Sequence, residues 1–177
     1  MNNSLWIASA NEDKKTYKSL GEDKYADVCI IGGGLTGLTT AYYLSKAGKS
    51  VIVLEKDKIG NHTTGNTTGK ITSQHGLFYD YLINSVGIKK AKQYLEANEE
   101  AINNIEKIVN EEKIECNFER MDNFVFTQDK NYVQKIKDEV EAVKKLGFNS
   151  EFTNKIEVPL KVKGDNKIEQ AKEEIVG

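Results

Sequence analysis

Proline is almost missing from this chain: Pro159 is the only one in 177 residues. Glycine is left to carry most of the turn punctuation. Cysteine is nearly as scarce. Cys29 and Cys116 stand in unrelated contexts with no CxxC pair, so neither a metal site nor a disulfide framework is indicated. Neither sign of charge is in excess, with 25 Lys and Arg against 27 Asp and Glu. That balance argues against a nucleic-acid or anionic-membrane partner. No signal peptide and no long apolar run occur, so the expectation is a soluble, cytoplasmic protein without a membrane span. No internal repeat is found. A nucleophilic Ser/His/Asp or Cys/His arrangement is also lacking.

What is present is concentrated in residues 27–56, DVCIIGGGLTGLTTAYYLSKAGKSVIVLEK. Residues 27–31 are a short β-branched apolar run, as expected of a strand covered on both faces. Gly32, Gly33 and Gly34 end it. From Leu35 the period becomes helical, with Leu35, Leu38, Ala41, Tyr42 and Ser45 on one stripe. Lys46 and Gly48 suit the helix end. Residues 51–54 form a second apolar run. Two such runs joined by a helix should lie parallel with a right-handed crossover.

The turn reads Gly32-x-Gly34-x-x-Gly37. Its first glycine turns the chain off the strand, its second lets a pyrophosphate touch the backbone, and its third lets the helix pack on the strands. The amides near Leu35 and Thr36 then face the phosphates at the positive end of the helix. Glu55 ends the second strand, where a carboxylate accepts hydrogen bonds from an adenosine ribose and disfavours a 2′-phosphate. A glycine turn used only for packing would not explain an acid at the end of an apolar strand. A phosphate-loop NTPase is excluded. The Gly69-Lys70 pair has Thr64 where a glycine should stand and Ile71 where Ser or Thr should follow. The bare motif serves both NAD and FAD.

Residues 57–76 form a long loop rich in small and hydroxyl residues, a length that is usually functional. Helical spacing returns over 88–111, through Ala91, Tyr94, Leu95, Ala101, Ile102, Ile105, Ile108 and Val109, with Asn98 interrupting the stripe. Residues 123–127 read as a strand. Residues 129–146 read as a second amphipathic helix that stops at Gly147. Residues 148–153 and 158–162 read as further strands, the latter demoted to an edge by Pro159. The end of the chain reads as a charged tail or frayed helix. The N-terminal residues read as an arm whose Trp6 and Tyr17 lie over the domain.

The stretch DVCIIGGGLTGLTTAYYLSKAGKSVIVLEKDKIGNHTTGNTTGKIT resembles the opening of the D-amino-acid oxidase family of FAD-dependent oxidoreductases. That family includes glycine oxidase and sarcosine oxidase. The upstream Ser4-x-Trp6, with Tyr17 and Leu20, resembles a bacterial branch whose members often carry a C-terminal Rieske domain. The resemblance is strong over 27–75 and weaker over 80–163. It implies that Gly32, Gly34, Leu35, Thr36 and Gly37 hold the FAD pyrophosphate and that Glu55 holds the adenosine ribose. It places Lys56 beside the adenosine. It implies that Thr63, Thr64, Thr68, Gly69 and Lys70 wrap the pyrophosphate and run towards the flavin. His75, at the end of that loop, is a candidate for a group near the flavin. His62 reads as a solvent residue, and Cys29 and Cys116 read as inert core residues. Arg120 and Asp122 could reach a substrate, but nothing in their spacing favours that over the surface. Family members are about twice this length or more, so the resemblance implies a truncated or incomplete chain.

The expected organisation follows. Residues 1–26 are an N-terminal arm, 27–79 a Rossmann-like FAD-binding βαβ unit of α/β class, 80–163 part of an α+β substrate lobe, and 164–177 a charged tail. The expected function is oxidation of a small-molecule amine or amino acid by hydride transfer to FAD. The alternative is a non-catalytic nucleotide-binding remnant of a longer oxidoreductase. An NAD-dependent enzyme is a third reading that the bare motif permits. An unfinished sheet would expose apolar strand edges, so self-association is expected.

Overall fold

A computed structural model describes Ile7, residues 17–127 and 129–153, and the backbone of 169–173. Contacts divide the chain into two compact units, Met1–Lys70 and Ile71–Gly177. Helix and strand are mixed in both. Among the described residues no helix is long and apolar enough to cross a membrane. No group of three or more metal-ligating side chains occurs among them either.

The first unit is built on β1 (Val28–Ile31), α1 (Leu35–Lys46) and β2 (Val51–Leu54), followed by a single helical turn, α2 (His62–Gly65). The strands pair parallel, from Val28 opposite Val51 to Ile31 opposite Leu54. Asp27 fixes where the pairing begins: its Oδ2 accepts from both Ser50 N and Ser50 Oγ at 2.9 Å. Helix α1 ends as its sequence suggests, with Gly48 at φ 77° and Lys49 N donating to Leu44 O.

Burial corrects the expectation of a strand covered on both faces. Ile30 points at α1, its Cγ2 3.4 Å from where a Cβ at Gly37 would lie. Cys29 and Ile31 alternate to the other face, and Ile31 is 89% exposed. Helix α1 packs on both strands, on the side where Ile30 points. Cys29 is therefore exposed and not a core residue. Beside that open face, Leu20, Tyr25, Ala26, Cys29, Ile52 and Leu54 line a groove of about 460 Å³. Tyr17 is 71% exposed and so does not lie over the domain, while Trp6 falls outside the described residues. On the stripe expected of α1, Leu35 and Ser45 are exposed, and Leu38, Ala41 and Tyr42 are half-buried.

The second unit comprises α3 (Tyr79–Val86), α4 (Ile88–Glu111), β3 (Asn123–Thr127), α5 (Lys130–Lys145), β4 (Glu151–Thr153) and β5 (Glu169–Glu173). Its sheet is antiparallel in the order β3-β5-β4. One core cluster joins Tyr79, Ala91, Leu95, Ala142, Val143 and Leu146; a second joins Ile136 and Val140, with Leu77 and Phe152 against it. Residues 71–78 belong to this unit. Ser73 and Gln74 are buried, Tyr79 Oη donates to Ser73 O, and Asn123 Nδ2 donates to Gln74 Oε1.

Several expectations change here. The tail contains a strand: residues 169–173 pair with both β3 and β4, and those two ladders outweigh the helical preference of EQAKE. The strand expected over 148–153 is confined to Glu151–Thr153. The strand expected over 158–162 lies outside the described residues. Helix α3 has no counterpart in the sequence reading. On α4, Ala101 is exposed and Tyr94 is 38% exposed, while Glu99 is buried in their place. Cys116 is exposed, not core. Arg120 pairs with Glu106 at 2.7 Å and bonds Asn103, so its guanidinium is engaged within this unit.

The buried carboxylate of Glu139 organises the start of α3. Its Oε1 accepts from Phe78 N (2.8 Å) and Tyr79 N (2.7 Å), and its Oε2 accepts from Asp80 N (2.8 Å). A helix start leaves its first amides without intrahelical acceptors, and here one side chain of α5 supplies three.

Candidate functional site

The glycine turn between β1 and α1 leaves its strand with Gly32 at φ 105°, a conformation that side chains rarely adopt. Gly32 N still donates to Leu54 O at 2.8 Å, so the turn starts from an intact strand pair. A Cβ at Gly37 would collide with the carbonyl oxygen of Gly32, so the helix comes as close to the strand as glycine permits. A Cβ at Gly34 would lie 3.2 Å from Thr64 Oγ1.

Gly34 caps α1 without a side-chain hydrogen bond. Leu35 N donates to Thr64 Oγ1 at 3.1 Å, and Leu38 N begins the helical ladder at Gly34 O. The amides of Gly34, Thr36 and Gly37 have no protein acceptor among the described residues. They stand at the positive end of α1 with no side chain over two of the three positions. Donors without acceptors beside a bare backbone fit an anionic group such as a pyrophosphate.

Glu55 follows β2 and folds back on this turn. Its Oε2 accepts from Gly33 N at 2.7 Å and its Oε1 from Asp57 N at 2.9 Å. The Gly33 amide is the largest cause that holds the Glu55 carboxyl below its usual range, followed by the Asp57 amide. Each oxygen keeps a lone pair free for the hydroxyls of a ribose diol. The loop after Glu55 is tied to the turn as well, through Gly60 N donating to Gly33 O at 2.9 Å.

The expected site residues fare unequally. Gly32, Gly34, Leu35, Thr36, Gly37, Glu55 and Thr64 converge on the turn. The Lys56 side chain, Thr63, Thr68, Gly69 and Lys70 are exposed. Among the described residues no hydrogen bond joins Thr63, Thr68 or Gly69 to the turn. His75 belongs to the second unit, where its exposed ring meets Tyr94 edge-on at 6.4 Å between centroids. Sequence reasoning missed Gly33, whose N–H and C=O hold the two ends of the loop. It is the only residue of the first unit that is buried among those described. A third consecutive glycine between the two motif glycines was the available signal.

Two carboxylates give this unit a defined acid response. Asp27 is also held below its usual range, first by the Ser50 amide and then by the Ser50 hydroxyl. A depressed folded pKa contributes stability that is present above the unfolded value, about 4. It is lost as pH falls through the folded value. Thermal melts should therefore hold from pH 7 to about 5 and fall below about 4. Asp27→Asn should make that fall smaller. An unchanged acid limb in Asp27→Asn would show that this carboxylate does not contribute.

Comparison with known proteins gives one family match and three relatives. The family model described as FAD dependent oxidoreductase matches residues 27–170. A Rieske 2Fe-2S iron–sulfur protein of Bacillus subtilis is 43% identical over 148 residues, which is 84% of this chain and 29% of that one. The gamma-glutamylputrescine oxidoreductase of Escherichia coli is 32% identical over 72% of this chain and 30% of its own length. A glycine oxidase of Bacillus licheniformis is 33% identical over 33% of this chain and 17% of its own. The chain thus spans about a third or less of the curated relatives it matches.

Proposed function

Because the chain belongs to the family of FAD-dependent oxidoreductases, we propose that its first unit holds the adenosine diphosphate half of FAD, in the service of oxidising an amine or amino acid. In this reading 27–70 is a Rossmann-like βαβ unit and the second unit is part of a substrate lobe. The carrying observation is the convergence at the glycine turn: three free amides for the pyrophosphate and, from the end of β2, a half-buried carboxylate for the ribose. The oxidoreductase relatives support this reading over a non-catalytic remnant.

FAD, when bound, supplies the acceptor for a hydride from the carbon beside the substrate amine. The chain's own residues do the binding. Gly34, Thr36 and Gly37 donate to phosphate oxygens, and the absence of side chains at the glycines lets those oxygens approach. Thr64 accepts from Leu35 N and keeps its hydroxyl proton for a further oxygen. Glu55 accepts from the ribose hydroxyls while the Gly33 and Asp57 amides keep it ionised.

The test is to titrate FAD into the full chain, following flavin fluorescence and melting temperature, with NADH in parallel. FAD should bind and raise the melting temperature, and NADH should bind more weakly. Glu55→Gln should weaken FAD by about tenfold or more, the usual cost of losing charge-assisted hydrogen bonds. No flavin retained and no shift in melting would overturn the reading for this chain.

A further inference from the structure

His62 has the appearance of a solvent-facing loop residue, since its side chain is 62% exposed. Two observations set it apart. Its φ is 56°, in the left-handed region that is uncommon for a non-glycine residue. The same loop places glycine at Gly60, also at positive φ, where only the turn is needed. Keeping a side chain at 62 costs backbone energy that glycine would avoid. Its carbonyl is held by Asn66, which donates through both its amide N (3.1 Å) and Nδ2 (2.6 Å).

The side chain has a defined partner. His62 Nε2 faces Asp57 Oδ2 at 3.3 Å, and Asn61 Nδ2 donates to the same oxygen at 3.0 Å. Asp57 is the residue whose amide donates to Glu55 Oε1. Glu55 in turn is bonded through Oε2 to Gly33. A continuous set of contacts therefore runs from the imidazole, through Asp57 and Glu55, to the glycine turn.

We propose that His62 is a positioning residue for nucleotide binding: by holding Asp57, it fixes the loop amide that aims the Glu55 carboxylate at the ribose diol. This rests on the nucleotide reading above and adds a residue and a role to it. His62 need not touch the ligand. Its effect should fall on the part of the ligand that Glu55 recognises, because the Asp57 amide donates to Glu55 and not to the turn, and the phosphate-facing amides of Gly34, Thr36 and Gly37 make no bond to His62 or Asp57 among the described residues.

That confinement makes the proposal testable. The probes are ADP and 2′,3′-dideoxy-ADP, titrated into the full chain. His62→Gly keeps the left-handed backbone without strain and removes the imidazole. It should weaken ADP by about threefold to fivefold, the scale of an exposed ion pair, and leave the dideoxy compound unchanged. Melting temperature should not fall. His62→Gln, whose amide reaches a similar position, should restore most of the ADP affinity. In a Glu55→Gln background His62→Gly should have no further effect. Equal losses for both ligands, or no loss for ADP, would overturn the proposal while leaving the nucleotide site standing. Failure of the unaltered chain to bind ADP at all would overturn the nucleotide reading, and this proposal with it.

Discussion

Gly37→Ala is expected to abolish FAD binding and to unfold the first unit. The added Cβ would meet the carbonyl oxygen of Gly32, which is backbone and cannot rotate aside. Gly32 is itself pinned by the hydrogen bond that its N–H donates to Leu54 O, so yielding there disturbs the end of the β1–β2 pair. The other route is for α1 to move away from β1. That would carry the amides of Thr36 and Gly37 away from Glu55 and break the Leu35–Thr64 bond. Ordinary overpacking in a core costs about 1–3 kcal/mol. A backbone collision with no side chain to give should lie at the upper end or beyond. Gly21→Ala is the control, because a Cβ there meets nothing within 4 Å. Hydrogen exchange should show lost protection in β1, α1 and β2 of the Gly37→Ala chain and native protection in Gly21→Ala. Flavin retained by Gly37→Ala at native affinity would refute the close-approach argument.

The second large effect is expected at Glu139. This side chain is 1% exposed and accepts from three successive amides. In Glu139→Ala the amides of Phe78, Tyr79 and Asp80 lose the acceptor that this side chain supplies. Each buried donor left unsatisfied costs about 1–3 kcal/mol. Removing the buried carboxylate relieves its own desolvation, which offsets part of that loss. The net expectation is about 3 kcal/mol of destabilisation in the second unit. Glu139→Gln should fall between. Its amide oxygen can still accept from Phe78 and Tyr79, but its NH₂ faces the Asp80 amide and repels it. Denaturant unfolding followed by hydrogen exchange in α3 and α5 measures this. A Glu139→Ala chain as stable as the original would mean that water replaces the carboxylate without cost. The aromatic group Phe78, Tyr79, Tyr81 and Tyr94 reports locally, since its ring packing depends on where α3 starts.

These two residues mark the range of what could be read in the sequence. Gly37 was legible because its neighbours lie within one βαβ unit, where spacing alone carries the geometry. The same holds for β1, α1 and β2, for α4 and α5 with their long apolar stripes, and for β3. Glu139 was not legible. Its partners are 59 to 61 residues away, and a glutamate on a helix reads by default as solvated. For the same reason α3 was missed: it is eight residues long, and its N-terminus is satisfied from α5 and not by a local cap. β5 was misread because Glu, Gln, Ala and Lys prefer helices, and only the two flanking strands reveal otherwise. In the candidate site, Glu55 and the glycines were read from spacing. The Asp57–His62 contact was not, because it depends on a left-handed residue that no pattern announces.

The two units differ in how much they bury, and the difference bears on mass action. The second unit has a closed apolar core around Tyr79, Leu95 and Val143. Among its described residues the first unit buries only Gly33, and Ile31 and Cys29 lie open to solvent. A ligand that binds only the folded form adds stability as its concentration rises, about 2.7 kcal/mol at a hundredfold excess over Kd. For a unit whose apolar residues are at most half-buried among those described, that increment is a substantial addition. Nucleotide supply would then regulate how much of the first unit is folded at all, and the chain would hold its cofactor and its fold through a single coupled equilibrium.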